Sequence, residues 1–540
     1  MNLKSKLRSI LSPNQMKRLK WALMQYRYEK TKKNFGECDV NQSYIDNYKV
    51  IGLPNKHVFF GYYDLQQLDA SGKMALIHIL DEKKCDPAVD SAEIAIYHIE
   101  EESVEVLTKT RAWSWQQGSR LRWHPCKPGS ILFNDVENGR YVTVEYDIVS
   151  HARKTIAPIP MYDVTQNLHY GLSVNFSRLQ RLRPGYGYSA LIDETARVSA
   201  PKEEGIFRYD FVNQQTKMLI PLDQLAQNCP KQENVEHYIN HISIAPSGKR
   251  FMFFHLWAST QSSAWNMNLY VADIETGKME CIETEKVSSH YSWNGDEELL
   301  VTTAALNGAH SEYIVYDLKA HSKKVMKGSW LNRDGHPSTL GRSDFFVSDT
   351  YPVNCEQYLF LEENAVGVEL ARVYSDPRMF DDMRCDLHPR ISPDRKWITF
   401  DTTFDRKVRQ VVLLHMKDGA LKPKRTQKKP ADTESEYLIV GLGNRNNAIK
   451  EMFYEVIHGE IENASYVEPF QISNRFLKLV NQTIYSRKLR TFFKWVPKSV
   501  WAKYHVLNQV QLDRTKTTYI ILTYGTDIDR LHFKDLIRKV

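Results

Sequence analysis

From about His57 to Met416 short apolar runs alternate with polar turns, and the same plan returns again and again. "HISIAPSGKRFMFFHLW" (241–257) leads into "NLYVADIETGKMECIE" (268–283), and "SHYSWNGDEELLVTT" (289–303) into "EYIVYDLKAHSKKVM" (312–326). "LHPRISPDRKWITFDTT" (387–403) leads into "RQVVLLHM" (409–416), "YYDLQQLDASGKMALIHIL" (62–80) into "AEIAIYHIE" (92–100), and "LRWHPCKPGSILFND" (121–135) into "YVTVEYDI" (141–148). Each unit reads as a loop, a Pro/Ser/Asp/Asn-Gly turn, a strand, then a second strand that closes on Asp and a polar turn. Two less regular units, about 165–220 and 334–373, bring the count to seven, with a spacing of about 50 residues that suits four-stranded blades. One such unit cannot bury both of its faces, so the units must close into a ring. The pattern predicts a mainly β fold, a seven-bladed β-propeller over 50–416.

The two ends depart from this pattern. Residues 1–45 read as a basic helical arm: Leu3, Leu7, Ile10 and Leu11, then Met16, Leu19, Leu23 and Tyr26, stand at helical spacing on either side of Ser12-Pro13. Residues 417–436 form a charged, Pro-containing linker. Beyond it, "YLIVGLG" (437–443), "ASYVEPFQIS" (464–473) and "TTYIILTYG" (517–525) read as strands, with helices at 445–459 and 527–540. That alternation predicts a small α/β domain over 437–540, a partial Rossmann-like sheet. Its Gly441-Leu442-Gly443 lacks the third glycine of a dinucleotide fingerprint, and Asn446 stands in that place.

Charge sharpens the reading of the arm. The first 33 residues hold ten Lys or Arg against one acid, Glu29, while the whole chain carries only +7. The remainder is therefore close to neutral, and the arm is suited to an anionic membrane surface. "RKLRTFFKWVPKSVWAK" (487–503) mixes cations with aromatic side chains and is a second candidate for such a surface. No nucleic-acid-binding motif accompanies either segment, so nucleic acid is not an expected partner. No apolar run approaches the roughly 18–20 residues that span a bilayer. Seven scattered cysteines without a CxxC pair favour a reducing compartment, and the expected location is the cytoplasm, peripheral at the inner membrane.

Candidate chemistry gathers where the blade units begin. His241, His290, His336 and His388 recur about one blade apart, a register that turns all four toward one central channel. Neutral imidazoles converging there can ligate a metal or exchange protons. Asp64, Trp113, Gln117, Arg120, Trp123, Arg384 and Asp386 fall in the same channel-facing register. Aromatic faces, amides and Arg forks are what an anionic sugar requires. Asp64, Trp113, Gln117, Arg120, Arg384 and Asp386 are accordingly the candidate saccharide contacts, and Arg120 is a catalytic candidate as well.

"SPDRKWITFDTTFDRKVRQVVLL" resembles the repeats of TolB-like propellers, and the stretch 237–416, through "HYSWNGDEELLVTT" and "DGHPSTLGRSDFFVSDTYP", resembles oligogalacturonate lyases. This second resemblance implies a propeller that cleaves acidic oligosaccharides with a Mn ion held by His and Gln. It implies metal ligation by His290 and His336, and a base in the region of His241. The Gln and the additional His of that pattern have no counterpart beside Arg333-Asp334-Gly335-His336. Two imidazoles make a weak site, so little bound metal is expected, and a binding role ranks above the lyase reading. "YIILTYGTDIDRLHFKDLIRKV" resembles the N-terminal half of sugar transferases from capsule and O-antigen clusters, which implies a setting in bacterial surface-polysaccharide synthesis. In that setting the propeller binds an acidic saccharide or a glycosyltransferase partner. The third reading is an incomplete glycosyltransferase.

Overall fold

A computed structural model describes residues 13–423, apart from 33–35, 37, 230–233, 260–264, 305–310 and 405–407, together with three strands beyond residue 436. The chain divides into two compact units, 1–423 and 424–540, and each is taken by itself.

In the first unit seven antiparallel sheets follow one another, each a simple meander from its innermost strand outward. Blade 1 comprises Lys56–Phe59, Met74–Asp81, Ala92–His98 and Ser103–Thr110, and blade 2 Arg122–Trp123, Ser130–Glu137, Arg140–Asp147 and Arg153–Ala157. Blade 3 comprises Asp163–Val164, Tyr170–Ser173, Gly205–Asp210 and Gln215–Pro221, and blade 4 Val235–Ile244, Arg250–Ser259, Trp265–Asp273 and Met279–Glu283. Blade 5 runs through Ser288–Asn294, Glu298–Thr303, Tyr313–Asp317 and Ser322–Val325. Blade 6 is built on Ser338–Arg342, Phe345–Asp349, Glu356–Glu363 and Val366–Tyr374, and blade 7 on Arg390–Ile391, Trp397–Thr402 and Gln410–Met416. The fold is mainly β, a seven-bladed propeller.

The sequence explains the gradient across each blade. Second strands are sandwiched between neighbouring blades and are apolar on both faces; Phe251, Met252, Phe253 and Phe254 are all buried. Outer strands meet solvent, and Ser322–Val325 is exposed along its whole length. The Asp that ends many third strands caps the turn that follows. Asp147 accepts from the Ser150 amide, Asp210 from Val212 and Asn213, Asp273 from Glu275 and Thr276, and Asp317 from Lys319 and Ala320.

The N-terminal segment closes the ring. Ile45–Ile51 is the outermost strand of blade 7 and pairs with Gln410–Met416, from Ile45 opposite Met416 to Ile51 opposite Val411. Cys38–Val40 adds a fifth strand to blade 6, with Cys38 opposite Val373. Residues 38–45, assigned to the arm on sequence grounds, thus include propeller structure. The arm's helix spans Pro13–Thr31, with Pro at its first position, where a missing N–H costs nothing. Its inner side meets blade 6 and the segment after it. The Thr31 and Tyr374 hydroxyls are 3.0 Å apart, the Arg378 guanidinium lies 3.5 Å from the Tyr28 ring centre, and Lys20 pairs with Asp381. Leu19, Trp21, Leu23 and Tyr26 remain exposed. No helix among the described residues is long and apolar enough to cross a membrane.

In the second unit Tyr437–Gly443 lies between Ala464–Phe470 and Thr518–Tyr524, parallel to both. The helices expected at 445–459 and 527–540, and with them the partial Rossmann-like reading, lie outside the described residues. So do 1–12 of the arm and the 487–503 segment.

Closure from both ends of the chain makes a specific demand. Deleting residues 1–33 should leave the thermal transition nearly unchanged, because both closing strands remain. Deleting 1–51 should leave two blades short of a strand and abolish cooperative unfolding by circular dichroism. Equal melting of the two truncations would refute the closure.

Candidate functional site

The loop after the first strand of blade 1 turns sharply inward at Gly61. Its φ is +132, and a Cβ there would sit 2.9 Å from the Gln117 backbone, so only glycine fits. This turn delivers Tyr62 to the axis of the ring. Around Tyr62 stand the four histidines that open the inner edges of blades 4 to 7. Ring centres lie 5.1 Å away for His241, 6.5 Å for His290, 6.2 Å for His336 and 4.8 Å for His388. His290 and His336 are 3.9 Å apart and His336 and His388 4.4 Å. All four are between 1% and 4% exposed. His241 and His388 hold left-handed backbones, φ 55 and 50, which break the local strand geometry where each imidazole enters the ring.

Three of these imidazoles are oriented by a partner on Nδ1. His290 is bonded there to Asp334 at 3.1 Å, His336 to Asp349 at 2.8 Å, and His388 donates to the Gly61 carbonyl at 2.9 Å. An acceptor on Nδ1 holds the proton there and leaves the Nε2 lone pair facing inward, the arrangement that a hydrogen-bond acceptor behind the ring imposes on metal-binding histidines. The Nε2 atoms of His336 and His388 are buried with no hydrogen-bond partner, as is Nδ1 of His241. Each such atom costs about 1–3 kcal/mol, an expense with no structural return. One ligand atom from each of His336, Asp386 and His388 lies within 4.8 Å of the others. Arg384 grips the Asp386 carboxylate through Nε at 2.8 Å and Nη2 at 2.6 Å.

The electrostatics agree with this arrangement. Burial, reinforced by the neighbouring histidines and arginines, holds His241 and His388 well below the usual imidazole range, so both are neutral at physiological pH. Burial and His336 lower His290 as well. Burial also opposes charge on His336, but the Asp349, Asp386 and Asp334 carboxylates together outweigh it and raise that imidazole's proton affinity. The same field at Nε2 would attract a metal cation. Burial alone would raise Asp386, yet Arg384 holds it below the ordinary carboxylate range and therefore ionised. Two imidazoles and a carboxylate suit a divalent ion such as Mn or Zn. The residues present fit the metal that the lyase resemblance implies.

The site expected from sequence is redistributed. His241, His290 and His336 come together as anticipated, and Arg384 and Asp386 join them. The three-residue ligand cluster, however, is His336, Asp386 and His388, with His290 beside it. Arg120 instead binds Asp64 through two hydrogen bonds of 3.0 and 2.9 Å and donates to the Tyr162 carbonyl at 2.8 Å. Gln117 donates to the Tyr162 hydroxyl at 2.6 Å, and Tyr162 to Asn240 at 3.1 Å. Asp64 also accepts from Tyr291. These buried side chains tie blades 1 to 5 together and spend their polar groups on one another. Trp113 packs against Phe59 and Trp115, with its indole N–H on the Asp90 carbonyl, so its faces are covered. Trp123 donates to the Gln67 carbonyl.

Several contributors were not foreseen. Tyr62, Tyr63, Asp334 and Asp349 shape or orient the ring, and their only sequence signals are the doubled Tyr after Gly61 and the His-Pro pairs at 336 and 388. Two partly exposed arginines flank it. The Arg384 guanidinium stands 5.0 Å over the Tyr351 ring, and Arg183 stands 5.0 Å over Tyr186, whose ring is 5.5 Å from His241. Arg183 and Tyr186 follow the inserted helix Phe176–Leu182 of blade 3, which Asn175 caps by accepting from the Arg178 amide.

No protein-family model matches the sequence, and no curated protein matches it. Among solved structures the chain is similar to an oligogalacturonate lyase in complex with manganese, at 13% identity, with a TM-score of 0.52 over 69% of this chain and 94% of that one. It is also similar to an oligogalacturonate lyase from Vibrio parahaemolyticus, at 10% identity and TM-score 0.49, covering 71% and 98% of the two chains. A third likeness, to TolB from Acinetobacter baumannii, has 12% identity and TM-score 0.31 and covers 64% of each chain. At these identities the likeness is one of fold. None of these neighbours speaks for the capsule or O-antigen setting.

Asp349 organises two of the cluster's histidines at once, since it binds Nδ1 and the amide of His336 and also accepts from the His388 amide at 3.1 Å. Asp349→Ala should therefore cost about 3–5 kcal/mol in urea unfolding, because it leaves three buried donors unpaired at about 1–3 kcal/mol each. A loss below about 1 kcal/mol, the scale of an exposed pair, would show that this contact does not hold the ring.

Proposed function

We propose that the central ring holds a divalent cation and cleaves an acidic oligosaccharide by β-elimination, as a metal-assisted lyase. The observation that carries this reading is the set of buried, unpartnered nitrogens on His336 and His388 converging with the ionised Asp386. With this third ligand in place, the two-imidazole objection to a lyase falls away. The neighbour solved as an oligogalacturonate lyase in complex with manganese supports Mn as the ion and a uronate as the substrate.

His336, Asp386 and His388 would hold the cation, which would supply the charge that acidifies the C–H bond α to a uronate carboxylate. Arg384 and Arg183, partly exposed beside the ring, attract and orient the substrate's carboxylates. His241 is kept neutral, and its bare Nδ1 accepts the α proton. The electron pair left behind forms the C–C double bond, the β C–O bond breaks, and the leaving oxygen takes a proton from solvent. Tyr62, stacked on His241 at an interplanar angle of 23°, fixes the base's orientation.

The purified protein supplied with Mn2+ and oligogalacturonate should generate an unsaturated product absorbing in the ultraviolet. His241→Ala should lower kcat by about 10²–10⁴-fold while Mn2+ binding persists. Saccharide binding without any ultraviolet product would defeat the lyase reading and return the propeller to a binding role.

A second proposal concerns the arm. Leu19, Leu23 and Tyr26 share the outward face of the helix Pro13–Thr31, and the first 33 residues are strongly cationic. We infer that this face rests on an anionic bilayer, in keeping with a cytoplasmic, membrane-peripheral protein. Deleting residues 1–33 should release the protein from phosphatidylserine vesicles, at about 1 kcal/mol per cation near the surface. Unchanged vesicle binding would remove this proposal.

A further inference from the structure

Blade 4 carries a second polar cluster, on a sheet face otherwise packed with aromatic and aliphatic side chains. In the pairing of its first two strands His237 lies opposite Trp257 and Ile239 opposite His255, so both imidazoles project from the same face. Their rings are 5.1 Å apart and nearly parallel, at 19°, and His237 Nδ1 lies 3.0 Å from His255 Nε2. Cys229 stands just past the short helix Leu222–Gln227, on the connection from blade 3 to blade 4. Its Sγ is 3.7 Å from His255 Nδ1. Asn268, on the third strand opposite His255, directs its amide toward the same sulfur at 3.9 Å.

We propose that Cys229, His237 and His255 form a zinc site that fastens the blade 3–4 connection to blade 4. One ligand atom from each residue lies within 4.8 Å of the others. Tetrahedral zinc, with Zn–N of about 2.0–2.1 Å and Zn–S of about 2.3 Å, places neighbouring ligand atoms roughly 3.3–3.6 Å apart. Zinc takes only one nitrogen of His255, so one of its two contacts, to His237 or to Cys229, must open on binding. A thiolate with two imidazoles is a donor set that zinc favours over Mn or Mg, and three protein ligands leave a fourth position for water. The Asn268 amide supplies the outer hydrogen bond that a metal thiolate commonly receives. His237 precedes His241 by four residues of the same strand, about 13 Å at normal strand rise. The site is thus separate from the central ring and does not depend on its chemistry.

Cobalt distinguishes the two sites, because only this one contains sulfur. Co2+ added to the full-length protein should produce thiolate-to-cobalt charge-transfer absorption. That absorption should persist in the His336→Ala/His388→Ala double variant and be lost in Cys229→Ser, which should also bind one zinc equivalent fewer by mass spectrometry. In the unaltered protein, Zn2+ should slow alkylation of Cys229 by iodoacetamide, read from its peptide. A wild-type cobalt spectrum without thiolate character, or Cys229 alkylation indifferent to Zn2+, would overturn the site whatever the central ring does.

Discussion

The pairing of Ile45–Ile51 with Gln410–Met416 carries more than its share of the architecture. The four histidines belong to four different blades, and Tyr62 to the loop of a fifth. Nothing local to any one blade could bring their rings within 4–7 Å of one another. Ring closure does so, because it converts seven separate meanders into one packed circle whose inner edges have fixed spacing. Beneath the histidines, Asp64, Arg120, Tyr162, Gln117 and Asn240 stitch neighbouring inner edges together through buried hydrogen bonds. Such polar groups are costly to bury and are tolerated when every member is satisfied.

The histidine ring breaks that rule. Three imidazole nitrogens stay buried without partners, and two of those residues, His336 and His388, have well-made bonds on their other nitrogens. An arrangement that orients one side of each ring and leaves the other bare favours a ligand over a purely structural role. Arg384 fits this account, since it keeps Asp386 ionised in the interior while part of its own side chain reaches solvent.

Much of the propeller was legible in the sequence, because blade repeats have a strong physical signature: apolar second strands, capped turns after third strands and even spacing. The histidine ring was legible for the same reason, since residues at one point of a repeat must face one axis. The ligand set was not. Asp386 reads as half of an Arg-Asp pair, and Asp349 as the last residue of a buried strand; only the closed ring shows either beside an imidazole. Arg120 and Trp113 mislead in the opposite direction. Arginine and tryptophan serve sugar sites and buried packing alike, and here Asp64 and Trp115 occupy them. The closing strands escaped notice because seven residues of alternating pattern at the end of a basic arm have no repeat beside them to reveal their blade.

The central claim is that these converging groups hold a metal ion. Crystals grown with Mn2+, with diffraction recorded at the manganese absorption edge, address it most directly. An anomalous peak is expected within bonding distance of His336 Nε2, His388 Nε2 and an Asp386 oxygen. A fully occupied manganese bound elsewhere, with the His336 and His388 Nε2 atoms hydrogen-bonded to ordered water alone, would contradict it.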